Sequence, residues 1–162
     1  MWIVKIGGSW INNPNLSNLI KNLQRLSNKD NIIIVNGGGS FSDSVRLVYE
    51  NKRMSEKTGN YIALKATELF SHLLKEIDKN ICLVDDIESL GFSNKMLKIW
   101  LPSMILKNDS TFIKNWESTS DSVAAWLHSK INSLGLLYVK SLTFEKKKYK
   151  LKYLQDLSLI HI

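Results

Sequence analysis

Cysteine is almost missing from this chain. Cys82 is the single cysteine in 162 residues, so no internal disulfide can form, and a reducing cytoplasm is the expected setting. It lies in the apolar run Ile81-Cys82-Leu83-Val84 and reads as a packed thiol, not a nucleophile. Long apolar runs are missing too: none approaches the roughly 18 residues of a membrane span. The start, Met1-Trp2-Ile3-Val4-Lys5, lacks the pattern of a signal peptide, so no membrane partner is expected. His72, His128 and His161 show no ligand spacing, and no protein-held metal is assigned. Several nucleotide signatures fail as well. No Gly-Lys pair exists for a P-loop, and the G-x-G-x-x-G spacing begun by Gly37 and Gly39 meets Ser42 where glycine is required. Protein-kinase catalytic-loop and Asp-Phe-Gly motifs are also absent.

What is present is a chain of ordinary globular composition, 44% hydrophobic and 23% charged, long enough for one compact domain. The formal charge is +7, with a cluster at Lys146, Lys147, Lys148, Lys150 and Lys152. No helix-turn-helix, RRM or zinc pattern accompanies that run, so it reads as a solvated face and no nucleic-acid partner is expected.

Trp2 to Ile6 is a β-rich run ending at Gly7-Gly8, and 31–35 is a second, ending at Gly37-Gly38-Gly39. Both are apolar on successive residues, as strands of a covered parallel sheet are. After Pro14, the spacing of Leu16, Leu19, Ile20, Leu23 and Leu26 predicts a helix. Phe41, Val45 and Val48 predict another. A longer helix from about Ser55 is expected to bury Ile62, Ala66, Leu69, Phe70, Leu73 and Ile77. Residues 81–84, 97–101 (closed by Pro102) and 136–140 predict further strands. Residues 107–119 read as a loop, and Thr119 or Ser120 as the cap of a helix carrying Val123, Ala124, Leu127 and Ile131. Alternating strands and helices give an α/β fold: a three-layer, open, mostly parallel sheet between helices.

Two glycine-rich turns therefore follow strands: Lys5-Ile6-Gly7-Gly8-Ser9 and Asn36-Gly37-Gly38-Gly39-Ser40. Glycine lets backbone approach a ligand closely, and exposed N–H groups bind anions. In parallel sheets ligands collect at the carboxyl ends of strands, where both turns fall. The third element, Ser118-Thr119-Ser120-Asp121-Ser122, is by itself compatible with a plain helix start, where hydroxyls cap and an acid favours the dipole.

The order of the three resembles the amino-acid-kinase superfamily. The matching pieces are residues 4–9, 35–41, 119–125 and Val139-Lys140-Ser141. Within it, Gly37-Gly38-Gly39-Ser40-Phe41-Ser42-Asp43-Ser44-Val45-Arg46, 99–103 and 116–127 are most similar to the branch of (aminomethyl)furanmethyl-phosphate kinases of methanofuran biosynthesis. Those enzymes add a second phosphate to a phosphorylated aminomethyl-furan.

The resemblance implies ATP-dependent phosphoryl transfer to a small anionic acceptor, with Mg²⁺ carried by the nucleotide. Lys5 would neutralise charge on the transferring group, and Asp121 would organise the site by holding lysine ammonium groups. Gly7, Gly8, Ser9, Lys140 and Ser141 would serve the nucleotide. Gly37, Gly38 and Gly39 would serve the acceptor, with Arg46 able to fork onto its phosphate and Asp43 to take its amine. Uridylate, acetylglutamate and isopentenyl-phosphate kinases remain alternatives, as does a non-catalytic chain that binds an anion or regulates a partner. Homo-oligomer formation is left open.

The likeness fades after Ser141. Where the superfamily continues Val-Asp-Gly, this chain has Leu142-Thr143-Phe144-Glu145, and much of the nucleotide lobe is expected to be missing. The last six residues, Leu157-Ser158-Leu159-Ile160-His161-Ile162, resemble the translated end of a transposon adaptor used in sequencing libraries. The expected division is therefore a kinase-like domain over 1–156 and a non-native tail over 157–162.

Overall fold

The computed structural model describes residues 1–51, 54–92 and 95–141; the lysine run and the expected tail lie outside them. Five strands form one sheet in the order β3-β4-β2-β1-β5, where β1 is Trp2–Ile6, β2 Ile32–Asn36, β3 Cys82–Val84, β4 Lys98–Trp100 and β5 Gly135–Val139. Every pairing is parallel. This is the expected α/β class, and the continuous apolar strands follow from covering both faces: all five residues of β2 are buried.

Alternation along β1 and β2 splits the interior in two. Ile3, Ile33 and Val35 face a core with Leu106, Val123, Ala124 and Leu127. Val4, Ile6, Ile32 and Ile34 face Leu16, Ile20, Leu23, Phe70 and Leu74. The second core is covered by α1 (Leu16–Ser27) and the C-terminal half of α3 (Glu56–Ile77). The first is covered by α6 (Ser120–Ile131), with α4 (Ile87–Gly91) and α5 (Ser103–Asn108) contributing Leu90 and Leu106. Helix α2 (Ser40–Glu50) buries no residue fully and packs on α3. Among the described residues no helix is long and apolar enough to cross a membrane.

The sequence places α3 correctly, capped by the Ser55 side chain accepting from the Thr58 N–H, but its buried face is rotated from the expected one. Leu69 and Leu73 are exposed, and the interior receives Asn60, Leu64, Thr67, Glu68 and Ser71 instead. These polar groups are held. The Glu68 carboxylate accepts the Ser103 N–H at 2.9 Å, and Ser71 Oγ accepts from Asn36 Nδ2 at 2.9 Å while donating to the Thr67 carbonyl. Partners supplied by other elements remove the penalty that would otherwise keep such residues outside. The short helices α4 and α5 were not anticipated. Asp86 caps α4, and buried Lys98 closes it by donating to the carbonyls of Ser89, Leu90 and Phe92.

Candidate functional site

Strand β1 lies between β2 and β5, so the turn after β1, the turn after β2 and the end of β5 meet at one sheet edge. The two glycine turns are in direct contact. A Cβ on Gly8 would fall on the Gly39 amide, and one on Gly37 would stand 2.5 Å from the Gly8 nitrogen. Gly39 also has φ +53, a left-handed conformation that side chains resist. Gly7 is different: a Cβ there would meet only ordinary contacts. Its N–H donates to the Val139 carbonyl, and the Ser9 and Ser141 hydroxyls meet at 2.6 Å. The first turn is thereby tied to both neighbours.

The same alternation that places Ile3 against α6 places Lys5 on that face, 5% exposed. Thr119 caps α6 through its side chain, which puts Asp121 in the first helical turn, above β1. Asp121 Oδ1 stands 2.7 Å from Lys5 Nζ, and Oδ2 stands 2.9 Å from Lys140 Nζ. One carboxylate thus bridges two ammonium groups, one on β1 and one just past the end of β5. Burial lowers the Lys5 pKa, an effect that hydrogen bonding and charge from Asp121 only partly offset. Burial also opposes the charge on Asp121, but Lys5 and then Lys140 outweigh it and hold the carboxyl below its ordinary value. Tyr138, opposite Lys5 in the register, is pushed up to about 12, first by burial and then by the Asp121 charge. The network carries two positive charges against one negative, so it is net positive.

Beside it opens a cleft of about 230 Å³. Gly8, Gly37, Gly38 and Gly39 form one wall, and Ser118, Thr119 and Ser120 line it as well. Asp43 and Arg46 also line it; they pair with each other at 3.5 Å and are well exposed. Lys5 and Asp121 do not line this cleft, although Asp121 directly follows Ser120. The far wall contains residues that sequence reasoning did not single out: Asn60, Thr67, Asn115 and Trp116. Asn60 donates to the Asn115 carbonyl at 3.0 Å, and Trp116 stacks on Tyr49 with ring centroids 3.9 Å apart. The one available signal was a polar Asn and Thr on an otherwise helical apolar face.

The open parallel sheet between layers of helices is an amino-acid-kinase-like fold. A family profile described as the amino acid kinase family matches residues 1–110, and the chain belongs to that family. It is 32% identical over 130 residues to a [5-(aminomethyl)furan-3-yl]methyl phosphate kinase of Methanocaldococcus jannaschii, a match covering 78% of this chain and 59% of that protein. The branch resemblance read from the sequence has a counterpart in that relative. In fold, the chain is similar to the crystal structure of uridylate kinase from Archaeoglobus fulgidus, with TM-score 0.67, 20% identity, and coverage of 87% of this chain and 63% of that one. The chain therefore spans less than two thirds of the length of either protein.

Proposed function

We propose that the full-length protein works as an ATP-dependent kinase that phosphorylates a small, already phosphorylated metabolite of the aminomethyl-furan phosphate class. The observation that carries this reading is the Lys5–Asp121–Lys140 network at the strand ends where the two glycine turns interlock. Phosphoryl transfer requires alignment of acceptor and γ-phosphate and positive charge around the transferring oxygens, with little covalent help from protein.

In this reading Lys5 faces the transferring phosphoryl group, held there by Asp121. The carboxylate is a positioning group and not a base. A phosphate acceptor is already anionic and needs no deprotonation, while a carboxylate committed to two ammonium groups is a poor proton acceptor. Gly8 and Ser9 offer N–H groups to the nucleotide phosphates, Gly7 anchors their turn to the end of β5 through the Val139 carbonyl, and Lys140 and Ser141 close that side. The acceptor occupies the cleft against Gly37, Gly38 and Gly39. Its phosphate draws Arg46 away from Asp43, freeing the Asp43 carboxylate for the acceptor amine. Among the described residues no three His, Cys, Asp or Glu side chains gather as a metal cage. Mg²⁺ would arrive with the nucleotide, held by its phosphates and water, where it would neutralise phosphate charge.

The test is a coupled ADP-release assay with Mg·ATP and a panel of acceptors: aminomethyl-furan phosphate, UMP, acetylglutamate and isopentenyl phosphate. Turnover confined to the furan phosphate supports the reading. Preference for another acceptor replaces the substrate assignment, and nucleotide binding without turnover on any acceptor favours a non-catalytic anion-binding role.

A further inference from the structure

Past Asn60 and Leu64 the acceptor cleft adjoins a second cavity of about 210 Å³, whose lining includes Lys57, Thr58, Tyr61, Lys107 and Lys114. Three lysines from three different segments converge there: Lys57 from the first turn of α3, Lys107 from the last turn of α5, and Lys114 from the following loop. No carboxylate lines the cavity. Among the described residues none of the three lysines forms an ion pair, whereas Lys65, one helical turn beyond Tyr61, pairs with Glu68. The Lys107 ammonium sits 4.7 Å above the Tyr61 ring, and Lys114 donates to the Asp109 carbonyl. Both ammonium groups are thus anchored by contacts within the protein, although Lys107 stays exposed.

Three like charges around one small volume repel one another, and an anion between them reverses the sign of that interaction. We infer that this lysine-walled cavity is a second anion subsite, binding a phosphate or carboxylate group separately from the phosphates at the glycine turns. The anion would reside either on the far end of the acceptor or on a separate small metabolite. The first source rests on the kinase reading above; the second does not. The same charges exclude a cationic group from the cavity. An acceptor amine is thereby directed toward Asp43, on the opposite side of the shared wall.

The experiment is a titration of inorganic phosphate followed by backbone amide shifts, at low and at high sodium chloride. Saturable shifts at Thr58, Tyr61 and Lys114, weakened by salt, are expected. The double substitution Lys57→Gln/Lys107→Gln should weaken them by about tenfold or more, and Lys57→Arg/Lys107→Arg should restore them. Lys114 is left intact because it also ties down the end of α5. Shifts confined to residues 37–39, or unchanged by the double substitution in a protein with a native amide spectrum, overturn the proposal. The sources are separated by KM. If the double substitution raises KM only for acceptors bearing a second anionic group, the anion belongs to the acceptor. If phosphate still binds in wild type while no acceptor KM responds, it is a separate metabolite. Absence of turnover would overturn the kinase reading and leave the phosphate titration intact.

Discussion

The carboxylate of Asp121, in the first turn of α6, stands 2.7 Å from the ammonium of Lys5 on β1, and both side chains are largely withdrawn from water. The pair is useful because neither partner is stable there alone. A buried ammonium without a counter-charge loses its proton or unfolds its surroundings. Asp121 keeps Lys5 charged in a place where burial lowers its pKa, and its second oxygen recruits Lys140 to the same edge.

Replacing Asp121 with Asn should therefore cost more than a surface ion pair does. The expected loss of stability is about 3–5 kcal/mol, the range for breaking a buried pair by removing one partner, read from chemical denaturation. Lys5→Met removes the charge while keeping most of the volume. It should be milder for stability and, in the active enzyme, reduce turnover by about 10²-fold or more. Near-normal turnover for Lys5→Met would remove Lys5 from the proposed chemistry.

The glycine turns should respond unequally to alanine. Gly8→Ala drives a Cβ into the Gly39 backbone, and Gly39→Ala adds a side chain at φ +53. Each should lower stability and abolish nucleotide or acceptor binding together. Gly7→Ala meets only van der Waals contacts and should fold and melt much like wild type. Equal sensitivity of Gly7 and Gly8, measured by thermal melts, would contradict the interlocked arrangement.

Acid should act through Asp121. Its pKa in the folded protein is lowered, so its contribution is fully present above the unfolded value of about 4 and is lost as pH falls below that, through the folded value. Lys5 has the opposite sign. Its folded pKa is lowered, so burying its charge costs stability below that value, and the cost disappears as pH rises past about 10.4. Denaturation curves of wild type and Asp121→Asn should converge below pH 4. Curves that stay parallel from pH 7 to 3 would argue against a charge role.

Gly59 packs against the stack of Tyr49 on Trp116, and Trp116 lines the cleft beside the glycine turns. A Cβ there would stand 2.7 Å from Tyr49 Cδ2 and 3.2 Å from Trp116 Cζ3, so Gly59→Ala should disturb the Tyr49–Trp116 stack. The expected outcome is a raised acceptor KM with ATP KM unchanged. An effect on ATP instead would mean that the stack does not border the acceptor.

The sequence by itself determined the strands, the longer helices and the positions of the glycine turns. Successive apolar residues made β1 and β2 buried parallel strands, Ser55 and Thr119 capped helices α3 and α6, and glycine followed the strands where ligands gather. These signals are local, because period, cap and turn chemistry act over a few residues. The tertiary structure decided what local signals cannot encode. Asp121 looks like any acid at a helix start until β1 is found beneath it. Gly8 differs from Gly7 only because Gly39 packs against it. The buried face of α3 turned toward Asn60, Thr67 and Ser71 because Asn115 and Asn36 on other segments satisfied Asn60 and Ser71, while Thr67 donates to the Leu64 carbonyl of its own helix. Lys57, Lys107 and Lys114 are unremarkable surface lysines in sequence, and only the packing of α3 beside α5 and its following loop brings their charges around one cavity.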